Sequence, residues 1–196
     1  MQKSSLVDIE ADGSEKQREG GEALEPQGGA KEGEPFLFRI RFPVWKYVLH
    51  MWLIGFVPSV ILAIVLSAAG VLTEESGPDL SGDLHPGVMF FAIVVVSPVL
   101  ETLAMGVVLK LLSLLTRRRS TLAVMSCLVW AGLHSLASLP WGLTIVWPFF
   151  IFSCSYIGWR RRSWLHAVFI TCVIHFLQNL PPGILLLVDE IGSKGW

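Results

Sequence analysis

Charge is scarce over most of this chain. Of its 196 residues 31 are Asp, Glu, Lys or Arg, and 15 of those fall within the first 43 positions, which leaves the other 153 residues unusually apolar. With 53% hydrophobic residues and a mean hydropathy of +0.59, this distribution excludes a water-soluble globular domain. A net charge of −1 offers no basic face and excludes nucleic acid as a partner. Paired cysteines are missing too. Cys127, Cys154 and Cys172 stand singly in apolar runs without C-x-x-C spacing, which excludes a disulfide framework and a thiolate metal site and leaves them as small apolar residues. Residues 1–35 contain no continuous apolar run, so no cleavable signal peptide is expected and a later segment directs insertion. No internal repeat is visible.

What is present reads as membrane. Residues 1–35, rich in Glu, Gly, Ser, Gln and Lys, cannot bury enough surface to offset ordering and are expected to form a disordered tail. Residues 36–46 mix aromatics with Arg39, Arg41 and Lys46, a composition suited to an interfacial anchor. Hydrophobic stretches follow at 47–72, 87–115, 121–139, 141–159 and 164–188, each near or above the ~20 residues needed to cross ~30 Å of hydrocarbon. The expected fold class is all-α integral membrane with about five transmembrane helices: a first span at 47–72 and a four-helix membrane domain at 87–188. SLPWG (138–142) must be the whole connection between the third and fourth spans. Pro181 and Pro182 are expected to end the last span near Leu180, with a short interfacial or re-entrant continuation.

Positive charge gives the orientation. Arg39, Arg41 and Lys46 precede span one, Arg117, Arg118 and Arg119 follow span two, and Arg160, Arg161 and Arg162 follow span four, whereas the loops 73–87 and 138–142 carry no Lys or Arg. The positive-inside rule places the N-terminus in the cytoplasm and the C-terminus on the opposite side.

Ionisable groups within hydrocarbon cost kilocalories per mole and turn inward, to pair or to do chemistry. Lys110, His50 and His166 lie close enough to span ends to be interfacial. Glu101, His134 and His175 remain. Counted from the nearest arginine cluster they lie about 24, 22 and 20 Å deep, one level reached from three spans. A shared level is what a site requires, since its groups must reach a common point; an interhelical polar clamp is the plainer alternative. H175-F-L-Q-N179 puts Asn179 one turn from His175 on the same face. Ser97, Ser135 and Cys172, near the cluster, read as small packing residues.

The order SPVLETLAMG (97–106), VWAGLH (129–134), one plain span, and HFLQN (175–179) resembles the CPBP family, the CAAX-protease and bacteriocin-processing intramembrane proteases also called the ABI family. That family's pattern is E-E-x-x-x-R, F-x-x-x-H and H-x-x-x-N/D on the first, second and fourth helices of a four-helix core, and the resemblance covers about residues 87–180. It implies that the last four helices form the core and that Glu101 and His134 hold and deprotonate a water. It further implies that His175 and Asn179 polarise a peptide carbonyl and steady its oxyanion, in an endopeptidase that cuts a peptide or membrane-protein substrate near or within the bilayer. The chain departs from the pattern at three places: Thr102 stands for the second Glu, Gly106 for the Arg, and Trp130 for the Phe. The first two losses look coupled, because Glu and Arg at those positions would be i and i+4 and form one buried pair, so restoring both together is expected to be tolerated. No cofactor is needed if Glu and His activate water directly; a zinc ion on one carboxylate and two imidazoles is the competing chemistry. A degenerate family member serving in membrane immunity or as a scaffold is the alternative function, and a proton-coupled carrier is a third. Membrane lipid is the expected surrounding, and the sequence is silent on oligomeric state.

Overall fold

The computed structural model describes residues 35–40, 43–73, 76 and 85–194. The expected tail, and most of the loop after span one, lie outside the described residues. Every described element is helical: a short 3-10 turn at Phe36–Phe38, then α1 (Val44–Ala68), α2 (Pro86–Leu112), α3 (Arg119–Ser135), α4 (Leu139–Arg160) and α5 (Trp164–Lys194). Four of these are long and apolar enough to span a bilayer: Val44–Ala68, Pro86–Leu112, Leu139–Arg160 and Trp164–Asp189. The chain is therefore a multi-pass membrane protein. The expected count was about five; α3, with 17 residues, is only about 25 Å long, short of the hydrocarbon thickness.

Helix ends follow from local chemistry. Gly70 at φ 69 takes the left-handed position after α1, and the Val71 and Leu72 amides bond back to the Leu66 carbonyl, the glycine stop that a residue with a side chain disfavours. The α2 start is capped by His85, whose Nδ1 accepts from the Gly87 amide at 3.1 Å, with Pro86 in the first turn. The α3–α4 connection is shorter than 138–142: α4 begins at Leu139, with Pro140 in its first turn instead of breaking it.

The centre of the molecule is α4, which packs on α3, α5 and α1 and carries the fully buried Ile151, Phe152, Cys154 and Trp159. Lipid offers no hydrophobic drive between helices, so close approach of small residues does the work. Gly142 on α4 faces Ser135 and the Ala131 carbonyl of α3, Gly158 faces the Phe38 carbonyl, and Gly55 on α1 faces Ile151. Ser153 donates to Ser126 at 2.9 Å across the α3–α4 seam. Phe38, 3% exposed, pins the segment before α1 into the same core.

Prolines inside the helices are answered by side chains. Pro58 has no amide for the Ile54 carbonyl, and the Trp147 indole of α4 donates to that carbonyl at 2.7 Å. In α2, residues Ala92–Val96 form a π turn in which the Ser97 amide bonds to Ala92. The next donor in that register would belong to Pro98, which has none, so the Ile93 carbonyl is orphaned. Asn179 of α5 donates its Nδ2 to it at 3.1 Å.

The expected break at Pro181 and Pro182 does not occur: α5 runs unbroken from Trp164 to Lys194 with both prolines inside. Proline's fixed φ suits a helix, and the real cost is the donors lost to the Leu177 and Gln178 carbonyls. Two features offset it. Pro182 lines a cavity, and Gly183, one residue on, lies so close to Val94 and Phe90 that any Cβ there would collide with Val94. Packing against the start of α2 holds the continuation in place.

Candidate active site

Four helices meet around a cavity of about 470 Å³, within the range of small-ligand and substrate sites. Glu101 comes from α2, His134 from α3, and His175 with Asn179 from α5; all four line it. Its other walls are Ala92 and Ile93 of α2, Trp141, Ile145 and Phe149 of α4, and Leu186 of α5. The cavity thus runs from the level of Glu101 toward the membrane face opposite the arginine loops.

Glu101 is fixed from two sides. Ser97, one turn earlier on α2, donates its hydroxyl to Oε1, and His175 Nε2 lies 3.7 Å from Oε2. Ser97 is therefore a partner of the carboxylate, which corrects the reading of it as a packing residue; the i, i+4 spacing from Glu101 is the sequence signal that would have found it. The Ser97 bond and the His175 contact leave the carboxylate with lone pairs to spare for a guest.

His134 is oriented by its own helix. Its Nδ1 lies 2.9 Å from the Trp130 carbonyl; a carbonyl only accepts, so Nδ1 carries the proton and neutral His134 presents a bare Nε2. Trp141 packs edge-on against the ring at 4.6 Å between centroids, and Phe149 lies at 5.3 Å. His175 is 2% exposed, stacked on Phe152 at 4.3 Å and edge-on to the same Phe149 at 5.5 Å. Its Nδ1 is buried without a partner among the described residues. A bare lone pair there is cheaper than an unpaired N–H, so the Nε2–H tautomer, aimed at Glu101, is the favoured one. Aromatic rings thus hold both imidazoles alongside one polar contact each, and Phe149 touches both.

Asn179 also lines the cavity, but one of its two amide hydrogens is spent on the Ile93 carbonyl. Its second N–H and its carbonyl remain for a guest. His134 does not come within ion-pair distance of Glu101, and among the described residues no three His, Cys, Asp or Glu side chains gather with metal-ligand spacing. The carboxylate and two imidazoles considered above for zinc are thus not arranged as a ligand set.

Neither family models nor curated proteins nor solved structures match this chain.

The two departures in the first motif fall outside this cavity. Thr102 is fully buried and does not line it, and Gly106 lines a different pocket, where any Cβ would run into the Tyr156 hydroxyl. An arginine at 106 requires the Tyr156 side chain to move from its present place. Restoring the pair therefore has to displace the Tyr156 ring as well as balance charge.

Proposed function

We propose that the chain is an intramembrane endopeptidase of the CPBP type, with α2 to α5 as its four-helix core, cutting a peptide or membrane-protein substrate within the outer half of the bilayer. One observation carries the reading: Glu101, His134, His175 and Asn179, from three helices, line one cavity beside unspent lone pairs on a carboxylate. In the proposed reaction Glu101 accepts a proton from water as the water oxygen bonds to the peptide carbonyl carbon. The bare Nε2 of His134 accepts the water's other hydrogen bond and sets its direction of attack. The Nε2–H of His175 and the free N–H of Asn179 donate to the oxygen as it becomes negative. When the C–N bond breaks, Glu101 returns its proton to the leaving nitrogen, so the carboxylate ends as it began.

The arginine-bearing loops and the N-terminus are proposed to face the cytoplasm. That orientation opens the cavity toward the far side, where a helical substrate would unwind to present a peptide bond. Incubating the purified chain in detergent with single-span peptides and reading new termini by mass spectrometry tests the proposal; peptides that stay intact throughout would refute it.

The noncatalytic reading, a membrane immunity or scaffold protein, has a specific observation behind it. The Glu101–His175 contact and the Asn179–Ile93 bond both tie α2 to α5, which is what an interhelical clamp does. In that case removing Glu101 would change stability and nothing else.

A further inference from the structure

A second and larger cavity lies at the other end of the bundle. Its volume is about 690 Å³, and it shares no lining residue with the first. Its walls are the last turns of α2 and α4 with the first turns of α3 and α5, so it opens at the level of the arginine loops. Two cations stand at its mouth, Lys110 in the last turn of α2 and Arg160 in the last turn of α4, both exposed. No Asp or Glu is among the described residues that line it.

Below the cations the cavity becomes an apolar channel. Leu103 and Val107 line its α2 wall with exposed side chains that face lipid. From Leu103 to Lys110 the wall runs about 10 Å along the helix axis. Tyr156, 4% exposed, forms the floor, and it reaches that place because Gly106 opposite has no side chain. Trp164, 47% exposed, flanks the mouth, where an indole suits the boundary between headgroups and acyl chains.

We infer that this cavity is a binding site for an anionic phospholipid of the leaflet that meets the arginine loops, with the phosphate between Lys110 and Arg160 and one acyl chain along Leu103 and Val107. Charge complementarity and shape agree here: two cations, with no carboxylate among the described lining residues, stand at headgroup depth above an apolar channel open to lipid. The inference is independent of the chemistry at Glu101. It also accounts for Gly106, which the candidate active site does not use.

The test is native mass spectrometry of the full chain in detergent doped with phosphatidylglycerol or with phosphatidylcholine of the same chains. One phosphatidylglycerol should be retained at least ~10-fold more strongly. Lys110→Gln with Arg160→Gln, both at exposed positions, should weaken retention by about 5-fold per charge, roughly 25-fold together. Arg117→Gln with Arg118→Gln makes the same charge change outside the cavity and should leave retention near wild type. Val107→Trp, which fills the channel and keeps both cations, should weaken it too. Equal retention of the two lipids overturns the site, as does equal loss in the two double variants, or full retention by Val107→Trp. Inorganic phosphate without lipid should give no thermal protection; protection equal to that of phosphatidylglycerol would also overturn it.

Discussion

Replacing Gly142 by alanine probes the seam that positions His134. A Cβ at 142 would meet the Ala131 carbonyl at 2.7 Å and the Ser135 Cβ at 2.9 Å, and would overlap the Ser135 hydroxyl. The hydroxyl can rotate away; the carbonyl belongs to the α3 backbone and cannot. Relief to ordinary contact requires α3 and α4 to part by about 0.7 Å, and a gap of that size forfeits a quarter to a half of the dispersion energy across it. Over-packing of this kind costs about 1–3 kcal/mol, read as a fall of several degrees in thermal unfolding followed by tryptophan fluorescence in detergent. The same displacement carries His134, which lies between Ala131 and Ser135 on α3, away from the cavity, and a misplacement near 1 Å costs up to ~100-fold in rate. Adding Ser135→Gly removes the clash with that side chain but leaves the Ala131 carbonyl, so recovery should be partial. A Gly142→Ala protein that melts with wild type would show that the helices are not in contact at this point and would refute the reasoning.

Other changes test separate joints. Asn179→Ala leaves the Ile93 carbonyl without its donor and should cost about 1–3 kcal/mol of stability by thermal unfolding; an unchanged melting point would mean that the π turn needs no partner. Trp147→Phe should cost a similar amount by stranding the Ile54 carbonyl above Pro58, and Pro58→Ala, which restores the missing amide, should recover much of it. Thr102→Glu with Gly106→Arg should fail to fold at wild-type yield while Tyr156 is present, as size-exclusion profiles would show. For topology, a cysteine at Ala137 should react with a membrane-impermeant reagent added outside intact cells, and one at Ser120 should not; the reverse would invert the orientation.

The helices were legible in the sequence because length and apolar content are averages over many residues. Each expected stretch has a helix within a few positions of it, and the level shared by Glu101, His134 and His175 followed from helical rise alone. The misreadings concern single groups whose state depends on a distant neighbour. Pro181 and Pro182 look like a stop until Gly183 is seen packed on Val94. Asn179 reads as a free donor until Pro98, 81 positions earlier, is seen to leave a carbonyl that needs it. The aromatic setting of the imidazoles was equally hidden, because Phe149 and Phe152 belong to an α4 so uniformly apolar that no pattern marks which side chains face the cavity. Gly106, conspicuous as a departure from a motif, takes its meaning from Tyr156 fifty residues away.

The central claim is that the carboxylate of Glu101 activates water. Glu101→Gln keeps the size of the side chain and an oxygen to accept from Ser97 while removing its basicity, so the decisive measurement is the rate of peptide cleavage by wild type and Glu101→Gln, with the melting temperature of each recorded alongside. The account predicts a fall of at least ~100-fold in rate with little change in melting. A wild type that cuts nothing, or a Glu101→Gln protein that cuts at the wild-type rate, would contradict it.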